Sequence, residues 1–386
     1  MSEFYADKNV LITGGCGFVG SHLTRALLGC RARVTVLDLD TNPSRLAVVD
    51  DASRRANVVA IEGDITQPDL TMKCFHQRSF DYVFHLASYA TAIERAVENP
   101  YATIQSNTMG TVNLLEAVRT MPPERRPRSI VITSTDKVYG DMDGQAYEED
   151  RTPLRGIGVY DSAKLAADVF ARTYHEVFGL PTVVLRMCNI FGPHDLSEYR
   201  LVPKAMLRIF GKASPEPPEL YFEAIDHSRD YLYVEDAVRA LLGLGSSQNC
   251  RGDVFNLLAC KSISTPGMLR ALVECAARIE EDPERARTIR TNGIRINGFQ
   301  ADEGPEKRKV VTIKKQHLNG EKIRKALDFE PEMSFEAALV ATVKSYRALY
   351  RGKAPLRETT RRASQVAPVN PLPAAHNGHT GELAGA

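Results

Sequence analysis

A chain of 386 residues has room for a nucleotide-binding domain and a smaller partner, and 43% hydrophobic with 25% charged residues is the composition of an ordinary soluble globular protein. A formal charge of +1 gives no reason to expect a nucleic-acid surface, and no apolar run approaches the roughly 20 residues a membrane span requires. The N-terminus MSEFYADKNV lacks the basic and apolar regions of a secretory signal, so a cytoplasmic protein is expected, one that meets neither nucleic acid nor membrane.

The stretch Lys8 to Asp40 organises the chain. An apolar strand, Val10 to Thr13, runs through a glycine turn into a helical pattern, and a second apolar strand, Val34 to Leu37, ends at Asp38. This is a βαβ unit whose first turn holds a dinucleotide pyrophosphate against a helix N-terminus. Gly14 permits the tight turn, Gly17 removes a Cβ that would hold phosphates off the backbone, and Gly20 lets the helix lie close to the strand. Gly14, Gly17, Phe18, Val19 and Gly20 are the expected cofactor contacts of this turn. A carboxylate at Asp38 accepts hydrogen bonds from the adenosine hydroxyls and repels a 2′-phosphate, which points to NAD over NADP. Arg45 is expected to be an ordinary surface arginine. The seven cysteines are scattered without a CxxC pair, so free thiols are expected and no metal site. Cys16 lies inside the glycine turn, where a helix N-terminus can lower a thiol pKa, but a small residue tolerated there is the plainer reading.

Thr41 to Asn57 reads as loop and short helix, followed by a strand at Val58 to Glu62. Asp64, with Ile65 beside it, falls at that strand's end, either against the adenine or as a cap for the helix near Pro68. The strand Tyr82 to Leu86 ends in Ala87 and Ser88, small residues that let the sheet edge approach the cofactor ribose and phosphate. From Glu94 to Arg119 one long amphipathic helix is expected. Asn107 inside it is costly by propensity, so it either bonds the neighbouring sheet or lies on the solvent face, with the first favoured.

After the strand Ser129 to Thr133 comes Ser134-Thr135-Asp136-Lys137-Val138-Tyr139-Gly140, and then Tyr160-Asp161-Ser162-Ala163-Lys164 opening a helix. Tyr160 and Lys164 are i and i+4 and share one helix face. A nearby ammonium is expected to pull the phenol down from about 10, so that Tyr160 can take the proton of a sugar hydroxyl as hydride leaves the carbon. The strand Pro181 to Leu185 leads to Asn189, placed to meet a substrate diphosphate or to form a turn before Gly192-Pro193. Leu201 to Phe210 is an amphipathic helix. The segment His227 to Asp236 is expected to open a helix, with Arg229 able to neutralise a diphosphate bidentately. A strand at Val254 to Leu257, a helix near Gly267 to Ile279, a strand near Lys309 to Ile313 and a helix from Ser334 to Tyr350 follow. Residues 357–386 lack periodicity and are expected to be a disordered tail.

Four motifs stand in register: TGGCGFVG (13–20), STDKVYG (134–140), YDSAK (160–164) and RDYLYVEDAVRA (229–240), with NIFGP (189–193) and KIRKALDFEPEMSFEAAL (322–339) in agreement. Over about residues 8 to 350 the chain resembles an extended short-chain dehydrogenase/reductase of the NAD-dependent epimerase/dehydratase family, closest to the nucleotide-sugar 4,6-dehydratases. The resemblance implies an α/β fold: a Rossmann-type parallel sheet in an NAD-binding domain (1–188, with strand and helix returns around 225–260) and a smaller C-terminal, mainly substrate-binding domain (189–350). It implies NAD as cofactor, a nucleotide-diphosphate sugar as substrate, and a homodimer built on the helices near 99–119 and 160–178. Carried over by motif, Thr135 and Tyr160 hold the sugar O4, Lys164 holds the nicotinamide ribose and tunes Tyr160, Asp136 is the acid at C6, and Lys137 is either the base at C5 or a cation that stabilises the enolate. Asn107, Leu86, Ala87 and Ser88 join the cofactor set, and Asn189 and Arg229 the substrate set. The implied reaction is C4 oxidation, loss of water across C5–C6 and hydride return to C6. An epimerase, or a related decarboxylase or 5,6-dehydratase, uses the same transient ketone. The run SYATAIER, the loop GPHDLSEYRLVPK and the absence of Trp depart from dehydratase patterns, and these departures bear on the substrate's base and sugar.

Overall fold

The computed structural model describes residues 3–351 apart from 47, 50–52, 54–56, 91–92, 222–223 and 298–312. The tail 357–386 and most of the strand expected near Lys309 lie outside these residues. The frame is a sheet of seven described strands: β1 (Asn9–Thr13), β2 (Arg33–Asp38), β3 (Val58–Glu62), β4 (Tyr82–His85), β5 (Ser129–Thr135), β6 (Thr182–Met187) and, later in the chain, β10 (Val254–Asn256). Its order is β3-β2-β1-β4-β5-β6 and then Val254–Asn256, with every pairing parallel. Strand order reverses between β1 and β4, and dinucleotides bind outside the carboxyl ends of the strands at such a switch point.

Apolar residues along the strands explain why both faces are covered. Val10 and Ile12 join one core with Leu23, Leu27 and Leu241, whereas Leu11 joins another with Val83, Leu114 and Val118. Successive side chains of β1 thus enter different cores, as a doubly covered parallel sheet requires. The helix Val159–Phe178 packs its small residues Ala163, Ala167 and Ala171 against the sheet, so its backbone comes close enough for Thr182 Oγ1 to donate to the Ala171 carbonyl at 2.7 Å. It stops at Gly179, whose φ of 67° is the left-handed cap conformation glycine adopts without strain.

A smaller sheet lies downstream. Its strands are β7 (Asn189–Phe191), β9 (Ser228–Tyr233), β11 (Lys261–Ser264) and β13 (Lys315–Gln316), and β8 (Glu219–Tyr221) pairs with β12 (Arg295–Asn297) apart from it. The helix expected to open at His227 is therefore corrected: Ser228–Tyr233 is extended and the helix is Val234–Ser246. Tyr231 and Tyr233 are strand-forming residues, and the flanking strands β7, β11 and β13 pair with the backbone of SRDYLY, which outweighs the helical pattern that begins only at Val234.

The single helix expected from Glu94 to Arg119 is also corrected, to a broken run. Ile93–Glu98 and Pro100–Ile104 are separate because Asn99 caps the second, accepting from Ala102 N at 3.0 Å, with Pro100 in its first turn. A π-turn, Gln105–Met109, then carries Asn107 before the helix Gly110–Arg119.

Candidate active site

The cofactor crevice is shaped by close backbone approach. Gly14 has φ +71°, and a Cβ there would sit 2.7 Å from the Ala87 backbone nitrogen. A Cβ on Gly20 would run into the Gly14 carbonyl. Only glycine lets the turn between β1 and the helix Phe18–Gly29 pass this close to the end of β4, and that leaves a Cβ-free cradle at a helix N-terminus. Asp38 closes the cradle, its Oδ2 accepting from Cys16 N at 2.9 Å. Burial pushes the Asp38 carboxyl up, opposed by that hydrogen bond. Arg45 is tied to Asp40 at 3.1 Å. Cys16 is not activated: burial, then Asp38 and Asp40, push its thiol up to about 12. Asp64 spends its side chain on Thr66 N at 2.8 Å, while the helix Pro68–Gln77 has Gln67 at its N-cap. Ile65 is buried where Gly110 leaves room for it.

Asn107 is fully buried and bonds the β4 end: its Oδ1 accepts from Ser88 Oγ at 3.0 Å and from Tyr89 N at 2.9 Å. The π-turn aims it there, a recurrent use of such bulges. Ala87 N meets Thr13 Oγ1 at 3.4 Å and Leu86 N donates to the Thr13 carbonyl at 3.0 Å. Behind them His85 bridges Thr13 Oγ1 (2.7 Å) and Thr111 Oγ1 (2.9 Å), and burial pushes its imidazole down to about 3, so it is neutral.

Thr135 ends β5 and its hydroxyl accepts from Lys137 N at 3.4 Å, turning the chain into a 3₁₀ segment, Asp136–Tyr139. That turn breaks strand alternation: Lys137 lines the cleft, and the adjacent Asp136 is buried behind it. Asp136 is 2% exposed. Its Oδ1 accepts from Thr135 Oγ1 at 3.0 Å, and its buried Oδ2 has no partner among the described residues. Burial pushes its carboxyl up to about 6 against the pull of Lys137, Thr135 and Arg229. Burial lowers Lys137, whereas Asp136, Asp161 and Glu94 favour its charge and Arg229 opposes it. Lys137 Nζ lies 5.3 Å from the centroid of the Tyr160 ring.

The expected depression of Tyr160 is corrected. Burial, followed by the charges of Asp161 and Asp136, pushes the phenol up, opposed by Thr135 and Arg200. Lys164 is itself buried and is pushed down to about 8, with Asp168 holding its charge.

On the far wall Asn189 lines a cleft with Lys137, Glu94, Arg200 and Tyr231, and its Nδ2 donates to the Asp230 carbonyl at 3.4 Å. Arg229 is less available than its sequence position suggests. Its Nη1 donates to the Ser228 and Lys314 carbonyls at 2.9 and 2.8 Å, and its Nη2 meets His227 Nδ1 at 3.4 Å. Its reach to a diphosphate is through what those bonds leave free.

Three groups were missed by sequence reasoning. Arg186 is 1% exposed and makes a two-point contact with Asp168 (2.9 and 3.2 Å), and its Nη1 donates to Tyr139 at 2.7 Å. A charge at the end of the apolar run TVVLRM was a readable sign of such a pair. Arg200 pairs with Asp195 at 2.8 Å and lies 5.4 Å from the Phe18 ring centroid, linking substrate wall to cofactor turn. Asp161 is the third.

A family model described as the NAD dependent epimerase/dehydratase family matches residues 10–257. The chain belongs to this family. Its cofactor is NAD, and the glycine cradle fits that group. The chain is 30% identical over 346 residues to a dTDP-glucose 4,6-dehydratase of Neisseria gonorrhoeae, covering 88% of this chain and 95% of that one. It is 34% identical over 246 residues to UDP-glucuronate 4-epimerase 3 of Arabidopsis thaliana, covering 61% and 54%. Among solved structures, the dTDP-glucose 4,6-dehydratase DesIV of Streptomyces venezuelae, solved with NAD bound, superposes with a TM-score of 0.73 at 25% identity, over 88% of this chain and 97% of that one. The chain is thus an enzyme of the nucleotide-sugar dehydratase and epimerase family. No helix among the described residues is long and apolar enough to cross a membrane.

Proposed function

We propose that this protein is a nucleotide-hexose 4,6-dehydratase forming a 4-keto-6-deoxy sugar nucleotide. The observation that carries the reading is Asp136: a buried carboxyl raised to about 6, with one oxygen unpartnered, on the turn beside Thr135 and close to Tyr160 and Lys137. Expelling the C6 hydroxyl as water needs a group that takes up and releases a proton near neutral pH. An epimerase expels nothing and has no comparable use for it.

Bound NAD supplies the hydride acceptor and donor. Asp38, Asn107, Ser88 and the turn Gly14 to Gly20 hold it, with Ile65 and Asp64 at the adenine edge, and Lys164 is placed to meet its ribose. Thr135 and Tyr160 hold the sugar O4, and Tyr160 takes the O4 proton as the C4 ketone forms. Ionising that phenol is opposed by burial and by Asp136 and Asp161. Tyr160 therefore holds a proton tightly, and the phenolate form that accepts the O4 proton depends on the neighbouring ammonium groups of Lys137 and Lys164. The ketone acidifies C5–H, Asp136 protonates the C6 hydroxyl, and Lys137 lies beside the developing enolate. Asn189 and the free part of Arg229 meet the diphosphate.

A 4-epimerase is the second reading, favoured by the 34% identity to the plant epimerase. Incubation with a panel of nucleoside-diphosphate hexoses, read by mass, separates the two: a product lighter by one water supports dehydration, and a new sugar of unchanged mass overturns it in favour of epimerisation.

We also propose a homodimer. Tyr101, Ile104 and Met109 on one helix run and Val169, Phe170, Val177 and Phe178 on Val159–Phe178 are exposed. Such a patch supports burial against a second copy, and light scattering at micromolar concentration tests it.

A further inference from the structure

We propose that Asp161 is a positioning residue that holds Lys137 as an ammonium, so that Lys137 serves as the cation beside the C4 enolate and Asp136 alone carries the proton from C5 to the C6 hydroxyl. The assignment rests on the dehydratase reading above.

Asp161 follows Gly158, Val159 and Tyr160 at the start of the helix Val159–Phe178, the position from which an acidic side chain reaches back to the N-cap amide. Oδ2 packs against Gly158, where a Cβ would lie 2.6 Å from it, and the Gly158 N–H favours the ionised carboxyl. That accounts for one oxygen. The other, Oδ1, is buried without a hydrogen-bond partner in a residue only 2% exposed. A buried carboxylate oxygen left unpaired is costly unless a cation faces it: burial pushes the Asp161 carboxyl up, and the charge that opposes burial most is Lys137. Asp136 repeats the pattern from the other side with its own unpartnered Oδ2.

The surroundings of Lys137 agree. Asp136 faces it from its own turn, Asp161 from the Val159–Phe178 helix and Glu94 from the Ile93–Glu98 helix, against the guanidinium of Arg229 on β9, while the ion pair of Arg200 with Asp195 lines the same cleft. The Tyr160 ring, 5.3 Å from Nζ, also favours the charged form. Burial pulls the other way, and Asp161 is the buried carboxylate outside the reaction that opposes it.

The elimination then balances with one carboxylate. Once the C4 ketone is present, the C5–H bond breaks; its electron pair enters the enolate and its proton passes to the Asp136 carboxylate. Asp136 returns that proton to the C6 hydroxyl, the C6–O bond breaks, and water leaves as the enolate electrons form the C5–C6 double bond. No proton is gained or lost, and Lys137 stays charged throughout.

The test compares Asp161→Asn, Lys137→Arg and Lys137→Met in the full-length protein. Asparagine keeps an oxygen for Gly158 N–H, so folding and NAD binding are retained. Followed by NMR at Nζ, Lys137 in Asp161→Asn loses its proton at lower pH than in the wild type, and the alkaline fall in product formation moves to lower pH with it. Arginine is charged at every working pH, so Lys137→Arg keeps elimination within about 10-fold, whereas Lys137→Met loses about 10²–10³-fold, the cost of one enolate-stabilising donor. An unchanged Lys137 titration in Asp161→Asn overturns the proposal. So does faster elimination at low pH in that variant, which marks Lys137 as the base, or a Lys137→Arg protein no better than Lys137→Met. If Asp161→Asn does not fold, Asp161→Ser, which also keeps an acceptor for Gly158, is read the same way. A wild-type protein that releases no water from any hexose overturns the dehydratase reading instead, and the Lys137 titration still decides the role of Asp161.

Discussion

On the cofactor side of the cleft polar side chains are matched within the protein: Cys16 N–H serves Asp38, Ser88 and Tyr89 serve Asn107, and Thr13 and Thr111 serve His85. On the substrate side Asp136 and Asp161 each keep a buried oxygen without a partner. The first arrangement holds its shape whether or not a ligand is present. The second stores an unfavourable state that a substrate hydroxyl, or a cation, relieves. A rigid, self-satisfied cofactor wall facing a deliberately incomplete substrate wall suits an enzyme that returns its NAD to the starting state each turnover and moves protons only opposite it.

This contrast can be broken at several points. Tyr160→Phe removes the proton acceptor at O4 and is expected to lower turnover by about 10²–10⁴-fold with NAD binding unchanged; undiminished turnover would end the mechanism. Next is the matched pair behind the site. Arg186→Met takes from the buried Asp168 its two-point partner, leaving it Arg172 at 3.1 Å and the more distant charge of Lys164, and is expected to cost about 3–5 kcal/mol in denaturant unfolding. A loss within error of zero would show that the pair contributes little to rigidity.

Asp136→Asn sharpens the comparison from the strained side. A carboxyl at about 6 when folded and about 3.9 when unfolded binds its proton more tightly in the folded state. Its stability contribution is therefore fully present below about pH 4 and is lost as pH rises through about 6. Asp136→Asn should be inactive yet more stable than the wild type by up to about 3 kcal/mol at pH 8, and no more stable at pH 4. Equal differences at both pH values would remove the argument for stored strain. The smallest expected effect is at Gly14. Gly14→Ala places a side chain at φ +71° against Ala87, for about 1–3 kcal/mol of strain, and is expected to lower the melting temperature and weaken NAD binding in a direct titration.

Local spacing carried much of this. The glycines 14, 17 and 20 and the strand-end Asp38 announce a cofactor crevice because that crevice is made of consecutive backbone. The Tyr160–Lys164 pair is legible because one helix turn fixes it. The Tyr160 pKa was read in the wrong direction for the same reason: the i+4 lysine is visible in sequence, whereas the burial that weakens it, and the carboxylate of Asp136 from another strand end, are not. The 228–233 strand was missed because its partners lie 30 to 90 residues away in β7, β11 and β13.

By itself, then, the sequence determined the dinucleotide turn, the parallel α/β frame and the residue types available for proton transfer, since each depends on neighbours within a few residues or on hydrophobic period. Only the tertiary structure decided which of those residues are desolvated together. Lys137 acquires its charge balance from Asp136 beside it, Asp161 and Glu94 on separate helices and Arg229 on β9, because electrostatic coupling depends on distance through space and on the water excluded between groups, and neither is written along the chain.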